Sequence, residues 1–164
     1  MRLLGILLVA AACAGAGFLA AARLRRETIA LERLILLTES AAAYIRCQSP
    51  ELADLLQLLA DDCGEFGFLR EIAAKLRPDV PPSALWREAV ERDTAVPAAA
   101  KDILCSLGEV LGTTDKAGQL SALALHRERL LRAAGESRDR SLRQGKLYRS
   151  LGLLGGAMTV VLLL

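Results

Sequence analysis

The chain has 164 residues, enough for about one domain, and is 53% apolar but only 4% aromatic, with a Leu and Ala excess that favours helix over strand. A formal net charge of +2 supplies no general basic surface for a nucleic acid, and four cysteines without C-x-x-C spacing beside one histidine exclude a zinc-finger pattern. The charge is uneven: residues 51–102 carry 6 basic and 11 acidic side chains, whereas residues 115–164 carry 9 basic and 4 acidic. The basic excess adjoins an apolar segment, which points to a membrane surface. Cys13, Cys47, Cys63 and Cys105 all occupy apolar or helical surroundings and read as buried thiols, implying a reducing compartment.

Residues 3–22 contain no charge, and at about 1.5 Å per residue they reach about 30 Å, the thickness of a bilayer core. Arg23, Arg25 and Arg26 come after the run while Arg2 alone precedes it, so the positive-inside bias places the chain beyond Ala22 in the cytoplasm. A cleaved signal peptide is the rival, since Ala10-Ala11-Ala12-Cys13 loosely resembles a lipoprotein cleavage box. The run continues well past Cys13, however, and the positive cluster trails it instead of leading it, which favours an uncleaved anchor over residues 1–25.

Residues 26–146 read as a cytoplasmic bundle of six helices. The first, 26–47, carries a stripe at Leu31, Leu34, Ile35, Ala41, Ala42 and Ile45. Ser49-Pro50-Glu51 offers a cap, a first-turn proline and an acid for the second, whose face is Leu52, Leu55, Leu56 and Leu59, ending at Gly64. A short third helix aligns Leu69, Ile72, Ala73 and Leu76 before Pro78, Pro81 and Pro82 break it. Ser83 caps the fourth, with Leu85, Trp86, Ala89 and Val90. Pro97 opens the fifth, with Ala100, Ile103, Leu104, Leu107, Val110 and Leu111, and Gly112 closes it. The sixth runs from Asp115 to about Gly145. Its apolar face is expected at Leu120, Ala124, Leu131, Ala134 and Leu142. Glu128–Arg132, Glu136–Arg140 and Asp139–Arg143 are spaced to form i,i+4 pairs, each contributing about 0.2–0.5 kcal/mol.

Residues 151–164 form a second uncharged run, about 21 Å long as a helix. Leu147 and Tyr148 extend it, and Lys146 and Arg149 can snorkel to headgroups, so residues 147–164 read as a second membrane helix and both termini point away from the cytoplasm. Gly152 and Gly156, like Ala11 and Gly15, have the small-x-x-x-small spacing that lets helices approach closely in lipid.

No constellation carries catalysis. His126 has Arg127 and Arg129 beside it and neither a nucleophile nor a second metal ligand at a useful spacing. A G-x-x-x-x-G-K-[ST] loop is absent. Asp61, Asp62 and Glu65 lack the spacing of a calcium loop. The basic stripe from Arg127 to Arg149 lacks interleaved aromatics and adjoins the apolar tail, which suits acidic phospholipids better than nucleic acid. The reading is therefore non-enzymatic, with no cofactor, metal or small-molecule substrate. The acidic 51–102 segment offers complementarity to a basic partner, although a solvated surface is the commoner role for such charges.

Two stretches carry a family resemblance. Residues 111–119, LGTTDKAGQ, are similar to the LG-x-[ST]-D-[RK]-x-x-Q turn of the stage III sporulation protein AB family, and residues 146–156, KLYRSLGLLGG, are close to the stretch by which that family enters the membrane. The resemblance covers nearly the whole chain. It implies an antiparallel six-helix bundle flanked by membrane helices, like the cytoplasmic domain of the platform protein of type II secretion and type IV pilus machines. It also implies a place in the mother-cell membrane, within the channel-like secretion complex facing the forespore, and docking of a cytoplasmic ATPase, the stage III sporulation protein AA. Gly112, Asp115 and Gln119 in the turn, with Asp61, Asp62 and Glu65, are the expected partner-binding residues. A membrane-tethered scaffold or regulator unrelated to secretion is the alternative.

Overall fold

In the computed structural model the backbone is described for residues 2–77 and 81–163, and the side chains of those residues except 2–14, 17, 146–149, 151–153 and 155–163. Every regular element among the described residues is a helix: α1 (Arg2–Cys47), α2 (Leu52–Asp62), α3 (Gly67–Lys75), α4 (Pro82–Arg92), α5 (Ala98–Gly108) and α6 (Lys116–Leu163). The N-terminal apolar run and the first bundle helix, read separately from sequence, form one helix. So do the sixth bundle helix and the C-terminal run. No proline interrupts either junction, and a lone glycine such as Gly145 costs only about 1 kcal/mol in a helix interior.

The chain divides into two compact units, Ala30–Ala134 and the combination of Met1–Ile29 with Gly135–Leu164. In the first of these the core takes Leu31, Leu34, Leu37, Ala41 and Ile45 from α1, and Leu55, Leu56 and Leu59 from α2. Phe68 and Ile72 come from α3, Trp86 and Val90 from α4, Leu104 and Leu107 from α5, and Leu123 and Leu130 from α6. Helix α2 packs against α3, α3 against α4 and α4 against α5. Phe66, Phe68 and Trp86 form an aromatic run, with ring centroids 6.1 Å and 5.9 Å apart, the second pair edge-on as the ring quadrupoles favour. Gly108 lies against the Trp86 indole so closely that a Cβ there would overlap the ring.

The second unit pairs stretches of α1 and α6 antiparallel. Gly145 lies against Ala21, and the Thr28 and Ser137 hydroxyls meet at 3.0 Å in a buried hydrogen bond. Thr28 also donates to the Leu24 carbonyl at 3.2 Å, so its single proton is used there and Ser137 is the donor across the pair. Among the described residues of this unit the buried side chains are Ala21, Thr28 and Ser137, while Phe18 (55% exposed), Leu19 (73%) and Leu154 (67%) face outward. The two apolar runs lie mostly among side chains outside the described residues, as do Lys146 and Arg149. Among the described residues no helix is long and apolar enough to cross a membrane.

Several local expectations are corrected. Ser49 does not cap α2. It takes φ +46 and donates to the Ile45 carbonyl at 3.1 Å, closing α1, while Glu51 occupies the N-cap position without a side-chain bond. Pro82 opens α4, so Ser83 lies inside its first turn. Helix α5 ends at Gly108, because the next turn tightens: the Val110 and Leu111 amides both donate to the Leu107 carbonyl at 3.1 Å. Among the described side chains of α6 the buried positions are Leu123, His126, Leu130, Ala134 and Ser137, whereas Ala124, Leu131 and Leu142 are exposed. The stripe recurs near every 3.5 residues and includes His and Ser, so its apolar members alone misplace it. Of the three expected i,i+4 pairs only Glu128–Arg132 forms, at 2.5 Å. Cys47 is exposed, unlike Cys105, because it is the last residue of α1. Cys13 lies outside the described side chains.

Candidate docking surfaces

The turn at residues 109–119 is built by its own polar groups. Gly112 adopts φ +78, the left-handed conformation that suits glycine, and faces Leu52. The Thr113 hydroxyl is 3.0 Å from the carbonyls of both Glu109 and Val110, taking up acceptors left over at the end of α5. Asp115 accepts from the Gly118 amide at 3.0 Å, which makes it the N-cap of α6. The Gln119 amide reaches back to donate to the Thr114 carbonyl at 2.9 Å. Gly112, Asp115 and Gln119 therefore meet in one loop, but each has a task within it. Lys116 adds a contact that spacing did not indicate, donating to the Arg46 carbonyl at 2.8 Å and placing a cation at the negative end of α1.

Asp61, Asp62 and Glu65 gather at the opposite end of α2. Leu52, beside Gly112, precedes Asp62 by a rise of about 15 Å, so the two groups of expected partner-binding residues do not form one site. Asp62 accepts from the Tyr44 hydroxyl at 2.7 Å, and that bond pushes the Tyr44 pKa above its usual value. Arg33 approaches Glu65 at 3.7 Å, and Gln57 reaches Asp61 at 3.4 Å. Glu51, Asp54, Asp61, Asp62 and Glu65 are all exposed, and no Lys or Arg occurs from residue 47 to residue 69. Two of these acids occupy the last turn of α2, where the helix dipole disfavours negative charge by about 0.3–1 kcal/mol each. Further along the acidic segment the charges are consumed internally. Asp93 accepts from the Phe68 and Ala95 amides at 3.0 Å and 2.8 Å, and Glu71 bonds Lys75 at 2.6 Å, which lowers its pKa. Glu88 pairs with Arg92 at 2.5 Å.

A groove of about 450 Å³ separates α1 from α6 within the unit of residues 30–134, floored by Ala42, Leu120 and Leu123 and rimmed by Arg46 and by Arg127, which pairs with Glu39 at 2.6 Å. His126 does not line it. It is 4% exposed, with Nδ1 2.7 Å from the Ala122 carbonyl. A carbonyl only accepts, so Nδ1 donates to it, while Nε2 is buried without a partner among the described residues. Burial raises the pKa of Cys63 and Cys105, which keeps both thiols protonated. Among the described residues no three His, Cys, Asp or Glu side chains converge to hold a metal ion.

No curated protein and no solved structure matches the chain. The model of the stage III sporulation protein AB family matches residues 2–164, and the chain belongs to that family.

Proposed function

We propose that this sporulation protein is a non-enzymatic platform component of the secretion complex between mother cell and forespore, held in the mother-cell membrane by both ends and docking a cytoplasmic ATPase of the stage III sporulation protein AA type. Family membership supplies the role in sporulation. The membrane part of the reading is supported by the α1/α6 pair, which turns large apolar side chains outward and small or hydroxyl ones inward, the reverse of a water-soluble helix pair.

The observation that carries the docking surface is the acidic face of α2. Its exposed carboxylates have no cation of their own helix to pair with, and Asp61 and Asp62 stand against the helix dipole with only neutral partners, Gln57 and Tyr44, so their charge is left uncompensated. A basic surface on the ATPase is the complement. The turn at Gly112, Asp115 and Gln119 then acts in shaping the unit, and the acids make the contact.

Co-purification of the tagged full chain with the ATPase from sporulating cells tests this reading. Asp61→Lys relieves an unfavourable dipole interaction, so it is expected to leave the melting temperature unchanged or raised while reducing ATPase recovery about tenfold, in keeping with the loss of complementary charge. Gln119→Ala is expected to retain the ATPase. Recovery lost with Gln119→Ala and kept with Asp61→Lys would move the contact to the turn. No ATPase recovered with the unaltered chain would sink the docking role.

A further inference from the structure

We propose that Arg23, Arg25 and Arg26 of α1, with Arg138, Arg140 and Arg143 of α6, form a collar that binds the phosphates of anionic phospholipids. The inference rests on the membrane reading above and adds a headgroup preference to it.

All six arginines are exposed and belong to one unit. The contacts Ala21–Gly145 and Thr28–Ser137 fix the register of the two helices there. Between those contacts Arg23 is level with Arg143, and Arg26 with Arg140, so both helices place guanidinium groups in the same band. That band spans the rise from Ala21 to Thr28, about 10 Å. Outward-facing Leu19 lies one turn from Arg23 toward the N-terminus, and Leu154 lies beyond Arg143 toward the C-terminus. The order along each helix is thus apolar, then cationic, as at a boundary between hydrocarbon and headgroups.

The arginines are also left unneutralised although acids are at hand. Glu27, Glu136 and Asp139 lie on the same stretches, each four residues from one of these arginines (Arg23, Arg140 and Arg143), yet none of the six arginines has an ion-pair partner among the described residues. Elsewhere the same spacing is used: Arg132 takes Glu128, and Arg33, Arg87, Arg92 and Arg127 each reach a carboxylate. Guanidinium forks suit phosphate oxygens, and each cation at an anionic surface strengthens attraction by about fivefold. A nucleic acid would satisfy the guanidiniums but would leave Leu19 and Leu154 in water, so a lipid surface fits both halves of the pattern.

The test uses the full chain in bilayers of phosphatidylcholine with phosphatidylglycerol, with spin-labelled lipid of each kind reporting the motionally restricted fraction. The unaltered chain is expected to prefer phosphatidylglycerol by about threefold or more, and the preference should fall toward unity when all six arginines are changed to Gln, or in about 0.5 M salt without any substitution. Conversion to Lys keeps the charge and should keep most of the preference. Equal association of the two lipids with the unaltered chain, or an unchanged preference in the Gln variant, overturns the collar while leaving the membrane reading intact. Absence of restricted lipid of either kind, with release of the chain by alkaline carbonate, overturns both.

Discussion

Replacing Gly108 by Ala probes the contact between α4 and α5 and reads out through the only tryptophan in the chain. A Cβ at position 108 would overlap three atoms of the Trp86 ring, which is 2% exposed and already held edge-on by Phe68. Rotating a flexible side-chain end would make room cheaply, but an indole fixed on two sides must move as a body. Overpacking of this kind costs about 3 kcal/mol at the upper end of its usual range, and a disturbed ring pair adds about 1 kcal/mol. Two terms oppose it. Alanine is a better helix former than glycine by about 1 kcal/mol, and the Trp86 Nε1–H, buried without a partner among the described residues, regains about 1 kcal/mol if displacement lets it reach water. The net expectation is destabilisation of about 2 kcal/mol, read as a lower urea midpoint, with the Trp86 emission maximum shifted to the red before unfolding begins. An unchanged midpoint with unchanged emission would refute the placement of the ring over Gly108.

Gly112→Val should destabilise by about 1–2 kcal/mol in the same assay, because its φ of +78 lies where β-branched residues are strained, and Gly112→Asn should cost less since Asn tolerates that region. Asp115→Ala should cost about 0.5–2 kcal/mol through loss of the bond to the Gly118 amide, whereas Asp115→Ser should recover most of it; equal losses would show that capping is not the cause. Glu71 has its pKa lowered by Lys75, so its stabilising contribution is present above the ordinary value of 4.5 and disappears as pH falls through the depressed value. Glu71→Gln should therefore melt below the unaltered chain near neutral pH, with the gap closing in acid, and a gap independent of pH would exclude the ion pair as its source.

The fold was legible where apolar side chains alone mark the buried face. Leu31, Leu34, Ile35 and Ile45 on α1, and Leu55, Leu56 and Leu59 on α2, are buried as their spacing indicates. It was illegible where the buried face is small or polar, since His126 and Ser137 belong to the inner stripe of α6 while Leu131 and Leu142 do not. Hydroxyl caps misled for a related reason. A serine beside a helix end serves either helix, and at Ser49 the leftover carbonyl of Ile45 took the hydroxyl. The family-like turn was readable to the residue at Gly112 and Asp115, because both act through local backbone geometry. Lys116 was not, since its partner, the Arg46 carbonyl, is distant in the chain. The placement of Asp61 and Glu65 away from that turn required knowing which end of α2 meets Gly112.

The seating of Ala21 on Gly145 and of Thr28 on Ser137 has a genetic consequence. One residue inserted in α1 between these contacts turns everything beyond it by about 100° and advances it about 1.5 Å, so the hydroxyl pair could not close unless α6 changed by a matching amount. Length change in these two helices should therefore accumulate only as coupled events that restore the face, whole heptads being the simplest. The segment between α4 and α5 obeys no such rule beyond keeping Val96 buried and Asp93 within reach of the Phe68 amide. Across related genes, insertions and deletions should concentrate in connectors of that kind and be rare and paired in α1 and α6.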